Sequence, residues 1–276
     1  MKVWINDALV DAEEAKVSFF DHGLTVGDAA FETIAVRSGR AVACRRHLDR
    51  LRRSAVAMGL PPPEVERLRT AVADTIAAND LGEAVVRVVY TSGPGPLGSV
   101  RGERRPTAAV LAGPAPGWAA VADVVVVPWA RNERSATAGI KTTSYAENVI
   151  ALTEARSRGG SEAVFANTAG NLCEGSGSNV FLVLDGILVT PPLSAGCLAG
   201  VSRALVIERS GVAVEERDVR VGALGRATEA FLTSATRDVQ PVRSVDGVEL
   251  PYCPGPVTVE VGRAYAALLE ADPDPA

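Results

Sequence analysis

Lysine is scarce in this chain: among 28 basic residues only Lys2, Lys16 and Lys141 are lysine, and the rest are arginine. Cysteine is sparse too. Cys44, Cys173, Cys197 and Cys253 are scattered with no Cys-x-x-Cys pairing, and only His22 and His47 could add imidazole ligands, so the pattern of a structural zinc site is missing. Reduced, mostly buried thiols are the expectation. No apolar run is long enough to cross a bilayer, and Met1–Asn6 does not begin a charged segment, apolar stretch and small-residue cleavage site, so the expected location is cytoplasmic, away from membranes. A net charge of −5 argues against general attraction to nucleic acid or anionic lipid. No repeat of fixed period appears. With 47% hydrophobic and 22% charged residues, the 276-residue chain has the make-up of a globular protein of one large domain or two packed ones. Only the tail Ala271–Ala276 is expected to fray.

What is there begins β-rich. Val3-Trp4-Ile5, Ala8-Leu9-Val10 and Val17-Ser18-Phe19-Phe20 read as short strands between polar turns, and the alternation of Ala30–Val36 predicts a strand turned back at Ser38-Gly39 towards Ala41-Val42-Ala43. From His47, Leu48, Leu51, Ala55 and Met58 recur at helical spacing, ended by Gly59 and Pro61-Pro62-Pro63. A second helix follows with Val65, Leu68, Val72 and Ile76 on one face, and Val85–Tyr90 and Ala108–Leu111 read as strands around a Gly/Pro-rich loop. Gly113-Pro114-Ala115-Pro116-Gly117 is the best boundary. It predicts an N-terminal α+β domain over 1–113, a linker over 114–120 and a C-terminal domain over 121–276. In the latter, strands are expected at Val124–Val127, Ala163–Phe165, Val180–Val183 and Ala230–Thr233, with helices over Tyr145–Arg158 and Val201–Glu208.

Lys141 stands between Ala138-Gly139-Ile140 and Thr142-Thr143-Ser144-Tyr145, where a strand end meets a helix start. Partial desolvation there would favour the neutral amine that attacks an aldehyde. Seven segments bear on its role: Gly27-Asp28-Ala29-Ala30-Phe31-Glu32-Thr33, His47-Leu48-Asp49-Arg50-Leu51, Gly139–Val149, Glu174-Gly175-Ser176-Gly177-Ser178-Asn179-Val180-Phe181, Thr190-Pro191-Pro192, Gly200-Val201-Ser202-Arg203 and Phe231-Leu232-Thr233-Ser234. Together, in order and over nearly the whole chain, they resemble the class IV aminotransferase family. That family holds branched-chain and D-amino-acid aminotransferases, some (R)-amine transaminases and 4-amino-4-deoxychorismate lyases.

The resemblance implies an α+β, two-domain fold type IV enzyme dependent on pyridoxal 5'-phosphate, with a smaller N-terminal α/β domain and a larger C-terminal pseudo-barrel domain. It implies that Lys141 holds the cofactor as a Schiff base and then shuttles the substrate proton. Glu174 would pair with the pyridine nitrogen and keep the electron sink protonated. Arg50 would bind the phosphate through its planar fork of donors. Backbone N–H groups at Val201 and Ser202, with the Ser202 hydroxyl, would form a helix N-terminal anion site. Ser234 is the other phosphate-side candidate, while Ala235 stands where several members carry a hydroxyl, so its contact would be through the backbone. Tyr145 would meet the phenolic oxygen. The family also implies a homodimer whose Gly95–Arg105 loop closes the partner's pocket, with an amino donor and a 2-oxo acid acceptor as small-molecule partners and no metal.

Reaction choice among members depends on the pocket walls. The chain lacks the Arg-x-His carboxylate trap of the bacterial D-amino-acid enzymes, carrying Tyr90-Thr91-Ser92-Gly93 there. It also reads Phe31-Glu32-Thr33-Ile34-Ala35 in place of the first motif of the branched-chain enzymes. Thr33 and Ala235 resemble the lyases, in which a threonine assists pyruvate elimination. However, the lyase's substrate arginine is replaced by Ser92, leaving Arg101, Arg104 or Arg105 as substitutes. The expectation is a transaminase for D-amino acids or (R)-amines, with the lyase, which releases pyruvate and 4-aminobenzoate, as the alternative.

Overall fold

In the computed structural model, which describes residues 1–102 and 105–276, the chain divides into two compact units. The first comprises Met1–Pro116, Ile140–Ser144 and Asp272–Ala276, and the second Gly117–Gly139 and Tyr145–Ala271. Both the lysine segment and the last five residues thus join the N-terminal unit, although both lie far beyond the Gly/Pro boundary.

The first unit contains strands β1 (Lys2–Ile5) and β2 (Ala8–Asp11), a short helix α1 (His22–Thr25), strands β3 (Ala29–Arg37) and β4 (Arg40–Ala41), helices α2 (Cys44–Ala57) and α3 (Val65–Ala78), and strands β5 (Ala84–Thr91) and β6 (Ala108–Pro114). Its strands form an antiparallel sheet in the order β2-β1-β6-β5-β3-β4. Side chains alternate between faces along a strand, and the sequence uses this to build one core. Ala30, Ile34, Val36, Val86, Val88 and Tyr90 pack with Leu48 and Leu51 of α2 and Leu68 and Val72 of α3. Each fully buried leucine or isoleucine in it contributes about 1.5–3 kcal/mol. The opposite face of β3 and β5 carries Phe31 and Thr33 across from Val89 and Arg87.

Two expectations fail here. Val17–Phe20 forms no strand: Phe19 and Phe20 are exposed, and the chain turns into α1, capped by Asp21 accepting from Gly23 N at 2.8 Å. The tail is docked rather than frayed. Ala43 N donates to Pro273 O at 2.7 Å, Asp274 Oδ1 accepts from Arg45 N at 3.0 Å, and Arg46 reaches the carbonyls of Pro275 and Ala276. Asp274 therefore caps α2, whose own N-cap, Ala43, sits at φ 49° and offers no side-chain acceptor. This remote cap lets α2 begin at Cys44, three residues before the apolar periodicity starts.

The second unit contains β7 (Ala122–Arg131), α4 (Ala146–Ser157), β8 (Glu162–Asn167), β9 (Leu172–Gly175), β10 (Asn179–Leu184), β11 (Ile187–Thr190), α5 (Val201–Arg209), β12 (Val214–Glu216), β13 (Glu229–Ser234), β14 (Asp238–Val245), β15 (Val248–Glu249) and α6 (Pro256–Ala271). Its strands form a mixed sheet in the order β12-β11-β10-β13-β14-β7-β8-β9, with β15 on β14. Continuous apolar runs such as Val180–Val183 fit strands covered on both faces, and the Phe181 and Phe231 rings stack at 4.8 Å across β10 and β13. Among the described residues no helix is long and apolar enough to cross a membrane.

Candidate active site

In the first unit, the segment carrying Lys141 lies along the start of β3. Phe31 N donates to Lys141 O at 3.0 Å, Thr143 N donates to Ala29 O at 2.8 Å, and Ala30 and Thr142 form an antiparallel bridge. The hydroxyls of Thr143 and Ser144 both donate to Gly27 O at 3.2 Å. Gly27 is at φ 70°, and a Cβ there would lie 2.5 Å from Ser144 Oγ, so this turn needs glycine. The half-buried Lys141 places Nζ 4.4 Å from the Phe31 ring centroid. A second cation meets the same ring: Arg87 Cζ is 4.7 Å from the centroid, with Nη2 3.5 Å from Thr33 Oγ1. Arg87 is exposed and makes no ion pair among the described residues.

Arg50 lies behind that face. Glu32, on the core side of β3, accepts from Arg50 Nε at 2.8 Å through Oε1, and from Arg50 Nη2 at 2.6 Å and His47 Nδ1 at 2.7 Å through Oε2. Burial pushes the Glu32 carboxyl up, but the Arg50 charge and these hydrogen bonds outweigh it and hold the pKa at about 2. Burial drives His47 below its ordinary value, outweighing the Glu32 hydrogen bond and charge that favour protonation, with the Arg50 and Lys141 charges adding to the lowering, and a ring bonded to a carboxylate through Nδ1 donates there.

In the second unit, Glu174 lies near the end of β9, where Oε2 accepts from Leu198 N at 2.9 Å and Oε1 is 3.5 Å from Arg131 Nε. Arg131, on β7, also donates to Glu147 Oε2 at 2.6 Å and Asn148 Oδ1 at 3.1 Å, and lies 4.3 Å from the Phe165 ring. Tyr145 occupies the N-cap of α4 and is half-buried. Val201 and Ser202 form the buried first turn of α5, which no side chain caps, and Ser202 Oγ accepts from Tyr265 Oη at 3.0 Å. A Cβ on Gly200 would meet Asn179 Oδ1 at 1.9 Å, so only glycine brings the backbone this close. Ser234 ends β13 and Ala235 follows it, while the neighbouring Thr233 Oγ1 is buried with no hydrogen-bond partner among the described residues.

Each unit holds groups of the kind pyridoxal phosphate requires: in the first a half-buried lysine amine, and in the second a carboxylate partnered by Leu198 N and Arg131, an uncapped helix N-terminus entered through a glycine, and a buried Thr233 hydroxyl with no partner among the described residues. The class so defined is a fold type IV enzyme, α+β and two-domain. The chain belongs to the class IV aminotransferase family, whose model ("Amino-transferase class IV") matches residues 29–245. A putative branched-chain-amino-acid aminotransferase of Methanocaldococcus jannaschii is 33% identical over 90% of this chain and 88% of its own length. A D-alanine aminotransferase of Listeria monocytogenes is 29% identical over 96% of this chain and 95% of its own. Among solved structures, the branched-chain aminotransferase of Thermoproteus uzoniensis with norvaline is 32% identical, with a TM-score of 0.89 over 98% of this chain and 95% of that one. The protein is a pyridoxal-phosphate-dependent transaminase that works on an amino donor and a 2-oxo acid.

Four residues escaped the sequence reading: Glu32, Arg87, Arg131 and Arg237. Glu32, Arg87 and Arg131 are charges inside an otherwise apolar strand or at its end, and that interruption is the signal they leave, whereas Arg237 lies in the β13–β14 turn and leaves none. Of the arginines considered for a substrate carboxylate, Arg101 is committed to Asp28, with Nε and Nη2 each 2.6 Å from a carboxylate oxygen. Arg105 is exposed, and Arg104 lies outside the described residues.

Proposed function

We propose that this chain transaminates aliphatic amino acids, with branched-chain amino acids as donors and Arg87 receiving a substrate carboxylate. The observation that carries this is Arg87 itself, an exposed guanidinium that makes no ion pair among the described residues, on the same aromatic ring as the Lys141 amine. A planar fork of donors suits a carboxylate, and Phe31 and Val89 beside it supply an apolar wall for an aliphatic side chain. The names of the Methanocaldococcus and Thermoproteus relatives support a branched-chain donor.

In this reading bound pyridoxal phosphate supplies the electron sink that makes the substrate Cα–H acidic. Lys141 would hold the cofactor through its amine and would move the proton at the substrate Cα. Glu174 pairs with the pyridine nitrogen, with Leu198 N and Arg131 fixing its two oxygens. Tyr145, at the N-cap of α4, would meet the cofactor's phenolic oxygen. Val201, Ser202, Ser234, the Ala235 backbone and Arg50, which Glu32 orients, would hold the cofactor's phosphate. Thr33 positions Arg87 and limits the side chain that fits beside it.

A D-amino acid donor is the competing reading, supported by the Listeria relative. The test is a half-reaction: the cofactor's visible band is followed after adding L-leucine, D-alanine or an (R)-amine with no carboxylate. Conversion with L-leucine is the expected result. Conversion with D-alanine alone selects the D-enzyme, and conversion with the amine alone removes the role of Arg87. 4-Aminobenzoate formed from aminodeoxychorismate without a 2-oxo acid selects the lyase. The same reading makes the protein a homodimer. Phe19, Phe20, Leu24, Leu97 and Val100 are 55–84% exposed, and Gly95 N donating to Phe20 O at 3.0 Å and His22 Nε2 at 2.8 Å from Pro96 O hold their two loops together. An apolar patch of this kind marks an interaction surface. Leu97→Glu is expected to shift the native mass from dimer to monomer, and a monomeric parent protein would refute the assignment.

A further inference from the structure

The second unit contains a buried ion pair that the reaction does not use directly. Arg237 Nη2 donates to Glu162 Oε2 at 2.6 Å and Nη1 to Gln240 Oε1 at 2.5 Å, with side-chain exposures of 3% for Arg237 and 1% for Glu162. The guanidinium carbon lies 3.6 Å from the Trp118 ring centroid, so water is kept off one face and a cation–π contact is added. Two charges buried this deeply are costly and persist only where every donor and acceptor is placed. What they hold is informative.

Glu162 Oε1 accepts from the Ser176 hydroxyl and from Gly177 N at 3.3 Å, the two residues of the glycine loop just beyond Glu174. From the other side Asn148 Nδ2 donates to Ser176 O at 2.5 Å. Arg237 N donates to Ser234 Oγ at 3.2 Å and to Ser234 O at 3.3 Å, closing the turn that contains Ala235. Glu162 thus holds the loop that follows Glu174 through its carboxylate, while Arg237, anchored by its guanidinium, closes the Ser234–Ala235 turn through its backbone N–H.

We infer that the Glu162–Arg237 pair is a positioning element of the cofactor site, fixing the Glu174 loop and the Ser234–Ala235 turn from a single buried point. The inference rests on the proposed roles of Glu174 and Ser234. Arginine is required because one planar group must meet Glu162 and Gln240 at once while its carbon sits 3.6 Å from the Trp118 ring centroid. A lysine keeps the charge but has neither the fork nor the stacking plane.

The test compares wild type, Arg237→Lys, Glu162→Gln and Glu174→Gln. Folded apoprotein is titrated with pyridoxal phosphate well below the melting temperature, and the absorption band of the loaded protein is followed against pH. Arg237→Lys and Glu162→Gln are expected to bind the cofactor about tenfold more weakly and to shift the pH midpoint of the band. A purely structural pair would lower the apoprotein melting temperature and move neither readout. Wild-type affinity and midpoint in whichever of the two variants folds would overturn the inference. If Glu174→Gln also leaves the band unmoved, the reading of Glu174 fails; if it moves the band while the pair's variants do not, only the positioning role fails.

Discussion

Replacing Glu32 with glutamine should unfold the first unit far more readily than a one-atom change suggests. The carboxylate accepts three hydrogen bonds, two from Arg50 at 2.6 and 2.8 Å and one from His47 at 2.7 Å, in a place with no solvent exposure. A glutamine offers one oxygen and turns an NH2 towards donors, removing the carboxylate from the buried Arg50 guanidinium. Breaking one partner of such a pair costs about 3–5 kcal/mol. Linkage gives a similar figure: a carboxyl moved from its ordinary 4.5 to about 2 contributes roughly 3 kcal/mol. The sign is set by the lowered value. This stability is fully present above pH 4.5 and is lost as pH falls through about 2. His47, also lowered, adds a loss that begins as pH falls below its ordinary 6.5, because folding must keep the ring neutral. Urea unfolding of the apoprotein at pH 7 should show Glu32→Gln less stable by about 3 kcal/mol or more. Between pH 5 and pH 3 the variant should lose less stability than wild type, since the Glu32 contribution is already gone. A variant within about 1 kcal/mol of wild type at pH 7, with an unchanged acid limb, would refute the argument.

Other outcomes follow from the same geometry. Lys141→Ala should lower turnover roughly a thousandfold or more, by losing the proton carrier as well as covalent attachment, with circular dichroism unchanged; retained activity would remove the central assignment. Arg87→Ala should raise KM for an amino acid about 10–100-fold, the loss of a charged hydrogen bond, with little effect on an amine lacking a carboxylate; equal effects on both would assign Arg87 to the fold. Asp274→Ala should cost about 1 kcal/mol in chemical denaturation by removing the cap from α2, and no change would mean the tail is ornamental to that helix.

Much of the fold was legible because it is written in short-range patterns. The alternation of β3 and β5, the helical spacing of α3 and α5, and the turn at Ser38-Gly39 each follow from neighbours within about ten residues. The misreadings involve partners far away. Val17–Phe20 has the apolar content of a strand but no strand to pair with, and the polar tail was read as frayed because its partners, Arg45 and Arg46, lie 229 residues earlier. The candidate site divides in the same way. Lys141, Glu174 and Ser202 stand in motifs whose order is visible in one dimension. Glu32, Arg87 and Arg237 acquire meaning only through register and packing: Arg87 matters because β5 sets it opposite Thr33, next to Phe31.

The discontinuity of the first unit also bears on how the protein is made. Residues 1–116 emerge from the ribosome without the 140–144 segment that lines β3 and without the tail that caps α2. A helix lacking its cap frays at its first turn, and here that turn leads directly to His47 and Arg50. The N-terminal unit is therefore complete only once Asp272–Ala276 are in place to cap α2.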